Sequence, residues 1–477
     1  MATLLTQFVT VVAAILTRRF LGPAQMGFWA LVQVILTYAY YSNLGTMDAI
    51  VREIPFYHGK NDIPKAEKIK NTTFSFCILT ALIVSAGVIS YAFLRRDYLS
   101  PMLFYGLLIT AGLIFLQRIN ELLIRLVRAY KRFELAGKLT FYSAVVNMIL
   151  IAILSYRYKL YGFMIAMALS FIFNIIYVVY YQNFHFQYTI DWTQLRELLV
   201  YGFPLMILSF FSTLFETIDK LMITRFLGLE ALGLYGVALM AYGYLQSIPN
   251  AISIVVIPNL HEKFGRTENK HDLKSYLEKS DDVFSVVMPA LIGLSWFLVP
   301  YLIEMILPKF IEGISALRIL ILGAYFAGVG TAYSLFIYVI KRHVVLFPLN
   351  VASCALAILF NWLAIQKGLG IVGVAGATTL AMLCYFTMIY VYTAWHVYGG
   401  FEAIQKYAVI LFKFFWMISV LFLIKRWVRL PIPSVSTGFQ MIVCGLCYLP
   451  FLAAVHKKYG LFSPILQRFL NIRKWRW

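Results

Sequence analysis

Apolar side chains gather in long runs separated by short polar connectors. The runs fall at about 3–17, 28–50, 72–94, 102–122, 139–156, 160–181, 199–219, 231–258, 283–303, 316–340, 345–366, 371–395, 408–424 and 437–455. About 20 apolar residues cross a bilayer as a helix. The pattern therefore predicts an all-α polytopic membrane protein with about 14 transmembrane helices. The first run begins beside Met1 with neither a cationic leader nor a small-residue cleavage site, and reads as a retained helix.

Composition agrees with the runs. Of 477 residues, 61% are apolar and 13% charged, too little polar surface to cover a soluble body of this size. Soluble enzymes, secreted scaffolds and disordered chains are excluded. The net charge of +20 would suggest nucleic acid on a soluble protein. Here it fits cationic cytoplasmic loops and anionic head groups, with no nucleic acid. With the N-terminus inside, cytoplasmic connectors carry 25 Lys and Arg against 14 opposite, which predicts that both termini are cytoplasmic. The five cysteines lie in apolar runs, and Cys444-x-x-Cys447 has no second pair or His to make a metal site.

Two stretches about 206 residues apart echo each other: Thr17-Arg18-Arg19-Phe20-Leu21-Gly22 with Gly27, and Ile223-Thr224-Arg225-Phe226-Leu227-Gly228 with Gly233. Ile54-Pro55 with His58 then matches Ile257-Pro258 with His261, Lys131-Arg132 matches Lys341-Arg342, and Tyr161-Gly162-Phe163 matches Val372-Gly373-Val374. The chain is expected to hold six-helix lobes at 1–198 and 199–396, with 397–477 adding two helices and a basic cytoplasmic tail. An even number of spans per lobe makes the repeat parallel, with a central cavity between lobes, an architecture suited to transport.

The opening Arg19-Phe20-Leu21-Gly22-Pro23…Gly27 and Asn43-Leu44-Gly45…Ala49-Ile50-Val51-Arg52 resembles the polysaccharide exporter (O-antigen flippase) family. Gly202-Phe203-Pro204-Leu205…Asp219-Lys220…Leu227-Gly228…Leu232-Gly233-Leu234-Tyr235 resembles the start of its second lobe. That family belongs to the multidrug/oligosaccharidyl-lipid/polysaccharide transporter superfamily. The resemblance implies a non-enzymatic flippase moving undecaprenyl-diphosphate-linked oligosaccharide across the bacterial inner membrane, for O-antigen, capsule or exopolysaccharide. It also implies a polysaccharide polymerase and a chain-length regulator as partners. Lipid II flippases carry arginines in their first two spans. The run 28–50 has no Lys or Arg, which points away from lipid II.

Charges inside spans need a partner or water. Arg118, Glu121, Arg125, Arg128 and Arg132 are spaced 3, 4, 3 and 4 and share one helix face. They read either as a cationic ladder receiving a diphosphate, with Glu121 pairing Arg118 and Arg125, or as the solvated end of a long helix. Asp48 and Arg52, with Glu53, would pair with the ladder as a gate or close a helix end. Glu216, Asp219 and Lys220 form an ion-coupling or gating set, with Glu216 paired to Lys220, or an interfacial salt bridge. Arg19 and Arg225 sit at equivalent helix ends as a cavity rim or as snorkelling anchors. Tyr38, Tyr40 and Tyr41 are candidates for sugar contact or for packing.

No cofactor is expected beyond a coupled proton or sodium ion, since no G-x-x-x-x-G-K-[ST] loop is present. His58-x-x-x-Asp62 has an acyltransferase spacing but lies in a short cationic loop, and no histidine lies deep in a run. Two rival classes stand beside the flippase. A cation-coupled multidrug antiporter should show an acid-rich cavity. A membrane polysaccharide polymerase or acyltransferase should show a long outer loop.

Overall fold

The computed structural model describes residues 2–460 apart from 183, 429, 430 and 432, with side chains undescribed at 2–5, 254, 255, 258 and 267. The basic tail expected at 456–477 therefore lies, from 461 on, outside the described residues. The helices are α1 (Ala2–Leu21), α2 (Pro23–Tyr40), α3 (Thr46–Gly59), α4 (Ile63–Leu94), α5 (Pro101–Ala129), α6 (Phe133–Gln182), α7 (Trp192–Phe226) and α8 (Leu229–Thr267). They continue with α9 (Lys274–Ile306), α10 (Ile314–Val339), α11 (Leu346–Gln366), α12 (Gly370–Val397), α13 (Gly400–Trp427) and α14 (Pro433–Tyr459). Among the described residues, 11 helices are long and apolar enough to cross a membrane, so the chain is a multi-pass membrane protein. One of them, α6, runs 50 residues and bends at Lys159 (φ 51°, ψ −128°), which divides it into the two runs read from the sequence.

The run 28–50 is not one continuous helix. α2 stops at Tyr40, a 3-10 turn covers Tyr41–Asn43, and Leu44 (φ 52°) and Gly45 (φ 84°) adopt the left-handed region before α3 begins. Asn43 replaces backbone bonds lost at the break. Its Nδ2 donates to the Tyr40 carbonyl at 2.6 Å, and its Oδ1 accepts from the N–H groups of Gly45 (2.9 Å) and Met47 (3.3 Å). In lipid no water would satisfy those groups, so a buried side chain must.

Gly45 also lets two backbones touch. A Cβ on Gly45 would lie 2.2 Å from the Gly202 carbonyl oxygen of α7, and one on Gly202 would lie 2.1 Å from that of Gly45. The two stretches that carried the family resemblance thus meet here, through glycines.

The chain divides into two compact units, Met1–Gly233 and Leu234–Trp477. The internal repeat is written into the backbone. Gly22 (φ 78°) and Gly228 (φ 90°), and Lys131 (φ 57°) and Lys341 (φ 60°), are left-handed at matching positions. The last pair ends its helices identically. The N–H groups of Arg132 and Arg342 donate to Val127 and Ile337 (both 3.0 Å), the six-residue closure of a Schellman cap. Within the first unit the repeat-related Gly27 and Gly233 pack reciprocally: a Cβ on either would lie within 2 Å of a carbonyl oxygen, of Leu229 or of Pro23. In the second unit α10 supplies the centre of the core, with Tyr325, Phe326, Tyr333 and Phe336 all buried.

Candidate functional site

The break between α2 and α3 is where the intramembrane charges of the first unit collect. Arg118 of α5 is 3% exposed. Its Nη2 donates to the Ala39 carbonyl, in the last turn of α2, and to Ser42 Oγ at 2.9 Å. About two turns further along α5, Arg125 Nη1 pairs with Asp48 Oδ1 at 2.6 Å and donates to the Met47 carbonyl at 3.3 Å. The Tyr40 ring lies between them, 5.7 Å from the Arg118 guanidinium and 5.3 Å from that of Arg125. A break exposes carbonyls at a helix C-terminus, and cations are favourable there. α5 supplies them, since α2 has none.

A small pocket opens beside this cluster, lined by Leu36, Ala39, Tyr40, Ile114, Gln117, Arg118 and Glu121. Its free interior is about one water in size, so it is not by itself a sugar cavity. Two buried polar atoms of these lining residues, Arg118 Nη1 and the Tyr40 hydroxyl, have no hydrogen-bond partner among the described residues. A guanidinium N–H and a phenol O–H can both donate to an anion or to water.

The ladder differs from its expected form in three respects. Arg132 lies beyond α5, past the left-handed Lys131, so it is not on the helix face. Glu121 lines the pocket but forms no ion pair with either arginine among the described residues, because Arg118 reaches the α2 carbonyl and Arg125 reaches Asp48. Arg128 is exposed at the end of α5. The positive charge is thus concentrated in Arg118 and Arg125, and the latter is neutralised by Asp48.

The remaining candidates disperse. Arg52 is exposed, 3.9 Å from Glu53, and stacks on Tyr201 at 4.4 Å. On α7, Asp219 is buried and accepts the N–H of Lys220 at 2.7 Å, while Glu216 is exposed. Glu216 and Lys220 do not form the expected i,i+4 pair among the described residues, since no oxygen of one comes within 4.0 Å of the other's nitrogen. Arg19 and Arg225 are exposed at the ends of α1 and α7, and neither lines the pocket. Two of the three tyrosines are held by α7: Tyr38 hydrogen-bonds Thr217 (2.7 Å) and Tyr41 hydrogen-bonds Thr213 (2.5 Å). Ser42, Asn43 and Gly45 were not foreseen as site residues. Their signal was an Asn-x-Gly turn inside an apolar run.

This is a multi-pass helical membrane protein whose first unit presents a buried, partly unsatisfied guanidinium at a broken helix. Its fold is that of solved transporters. A lipid II flippase, MurJ, in an inward closed conformation matches with TM-score 0.66 and 17% identity, over 96% of this chain and 99% of that one. An inward-facing multidrug resistance MATE family transporter of the MOP superfamily matches with TM-score 0.66 and 15% identity, over 81% and 94%. An outward-facing MATE transporter matches with TM-score 0.58 and 14% identity, over 82% and 93%. No curated protein sequence matches. The family model "Polysaccharide biosynthesis protein" matches residues 1–264, and the chain belongs to that family.

Proposed function

We propose that the protein is a flippase that translocates undecaprenyl-diphosphate-linked oligosaccharide repeat units across the bacterial cytoplasmic membrane, with both termini in the cytoplasm. The carrying observation is Arg118: a guanidinium 3% exposed that lines a pocket at a broken helix, with its Nη1 lacking a hydrogen-bond partner among the described residues. Membership of a polysaccharide biosynthesis family and a fold shared with a lipid II flippase support the same substrate class. So does the chemistry, because guanidinium groups bind diphosphate oxygens bidentately.

In this reading Asp48 occupies the seat that a phosphate takes. An arriving diphosphate displaces the Asp48 carboxylate from Arg125 and accepts from the open Nη1 of Arg118. α2 and α5 must part to admit it, because the pocket as it stands is water-sized. The fold is known in inward- and outward-facing forms among MATE transporters, which supports alternating exposure of the site to the two sides. The lipid tail remains in the bilayer, and no covalent bond of the cargo changes. The product on the outer leaflet is then available to a polymerase for O-antigen, capsule or exopolysaccharide.

The test is a leaflet-accessibility assay in proteoliposomes carrying a fluorescent undecaprenyl-diphosphate saccharide. Protein-dependent transfer that falls at least tenfold in Arg125→Ala supports the reading. No transfer by the folded protein, or transport of a cationic dye in its place, overturns it.

A further inference from the structure

In the second unit α9 carries polar residues along one face against α13 and α14. Lys274 pairs with Glu402 (2.8 Å), Glu278 with Lys406 (2.8 Å), and Ser285 Oγ accepts from Lys413 (2.8 Å). All three pairs are offset by 128 residues, so α9 and α13 run parallel and in register. α14 returns antiparallel, and both Lys458 (2.7 Å) and Tyr459 (2.8 Å) donate to Asp282 Oδ2.

Asp281 is the exception on this seam. It is 8% exposed and lies seven residues into α9, about 10 Å along the axis from its start. Its Oδ2 accepts from the Tyr333 hydroxyl of α10 at 2.5 Å, while its Oδ1 is buried without a hydrogen-bond partner among the described residues. No cation lies within 4.0 Å of it among the described residues; Lys413 lies 3.9 Å from Asp282 instead. The titratable and charged groups around it are Tyr325 and Tyr333 on α10, Tyr390 on α12, Tyr398, and Lys406 and Lys413 on α13. Asp282 on α9, itself held by Lys458 and Tyr459 of α14, completes the set. An ionised carboxylate with a single neutral donor is costly at this depth, and the neutral acid is not.

We infer that Asp281 is a proton-binding site: it holds a proton while Lys413 rests on Ser285 and Asp282, and releases it when Lys413 moves to its open oxygen. The Asp281 O–H bond breaks, the proton passes to water at the exposed Lys458 end of the seam, and the Lys413 ammonium replaces it as partner. With Asp281 neutral, the ion-paired lysines 274, 406, 413 and 458 outnumber the acids Glu278, Asp282 and Glu402 by one. That surplus favours release once α13 shifts. A bound sodium ion is the poorer occupant. Among the described residues no three acidic, His or Cys side chains converge as a metal site, and the Tyr333 hydroxyl is spent as a donor. The site does not depend on which cargo the first unit takes.

The experiment is carbodiimide labelling of the full chain in nanodiscs, read by peptide mass spectrometry across pH, with and without sodium chloride. Carbodiimides attack protonated carboxyls in apolar surroundings. The expected result is an adduct on Asp281, absent from ion-paired Glu278 and Asp282, that declines as pH rises and ignores sodium. In Lys413→Gln, loss of the cation that stabilises the carboxylate moves half-labelling up by about one pH unit. Three results overturn the inference: no adduct at any pH in folded protein, protection by sodium in place of pH, or an unmoved midpoint in Lys413→Gln. The infrared carboxylic-acid band lost in Asp281→Asn identifies the residue independently. A spectrum showing only carboxylate there also overturns it.

Discussion

Removing the Arg118 guanidinium should destabilise the first unit through the end of α2. Two bonds are lost, to the Ala39 carbonyl and to Ser42 Oγ. Hydrogen bonds from a charged donor contribute roughly 1.5–3 kcal/mol each. Against this, the variant no longer buries a cation, whose desolvation costs several kcal/mol. For Arg118→Met, which keeps the stem volume, the balance is a net loss of about 2 kcal/mol, the equivalent of about 30-fold in the folded population. Ser42→Ala removes only the 2.9 Å bond from that charged donor and should cost about 1.5 kcal/mol. Because both variants delete the same bond, the double variant should fall short of additivity by about 1.5 kcal/mol. Thermal unfolding of purified protein in detergent, followed by size-exclusion fluorescence, measures all four corners of the cycle. An Arg118→Met protein that melts with the parent, or strictly additive losses, would refute the claim that this arginine caps the broken helix.

Two further outcomes test other parts of the structure. Gly45→Ala and Gly202→Ala each place a methyl within about 2.2 Å of a carbonyl oxygen, and the first also sits at φ 84°. Each should lower the melting temperature more than Gly59→Ala, whose added Cβ meets nothing within 4 Å; equal shifts would disprove the close crossing of α3 and α7. Asp48→Asn should leave Arg125 without its ionic partner and raise initial flipping rates at low substrate about two- to tenfold at matched protein levels, since a charged contact contributes about 0.5–1.5 kcal/mol when partly exposed. A slower rate in a folded Asp48→Asn protein would show that the carboxylate helps the transfer and does not occupy a phosphate seat.

The sequence by itself determined the class of molecule. Runs of about 20 apolar residues admit one solution in lipid, a helix that satisfies its own backbone, so most span positions were legible, even where α6 joins two of them, the run 28–50 being the exception. Matching residues such as Lys131 and Lys341, paired in the sequence, end helices by the same left-handed cap. The tertiary structure decided what a one-dimensional pattern does not carry. Hydropathy counts Ser42, Asn43 and Gly45 as a minor dip within a run, yet there the helix breaks and Arg118 and Arg125 find their acceptors. Helical spacing put Glu121 beside both arginines, but a guanidinium reaches several ångströms and takes the strongest acceptor within that reach, on whichever helix it lies. Likewise, Asp281 and Asp282 differ by one position in the sequence. Rotation by 100° about α9 places one among ion partners and leaves the other facing a tyrosine in the core.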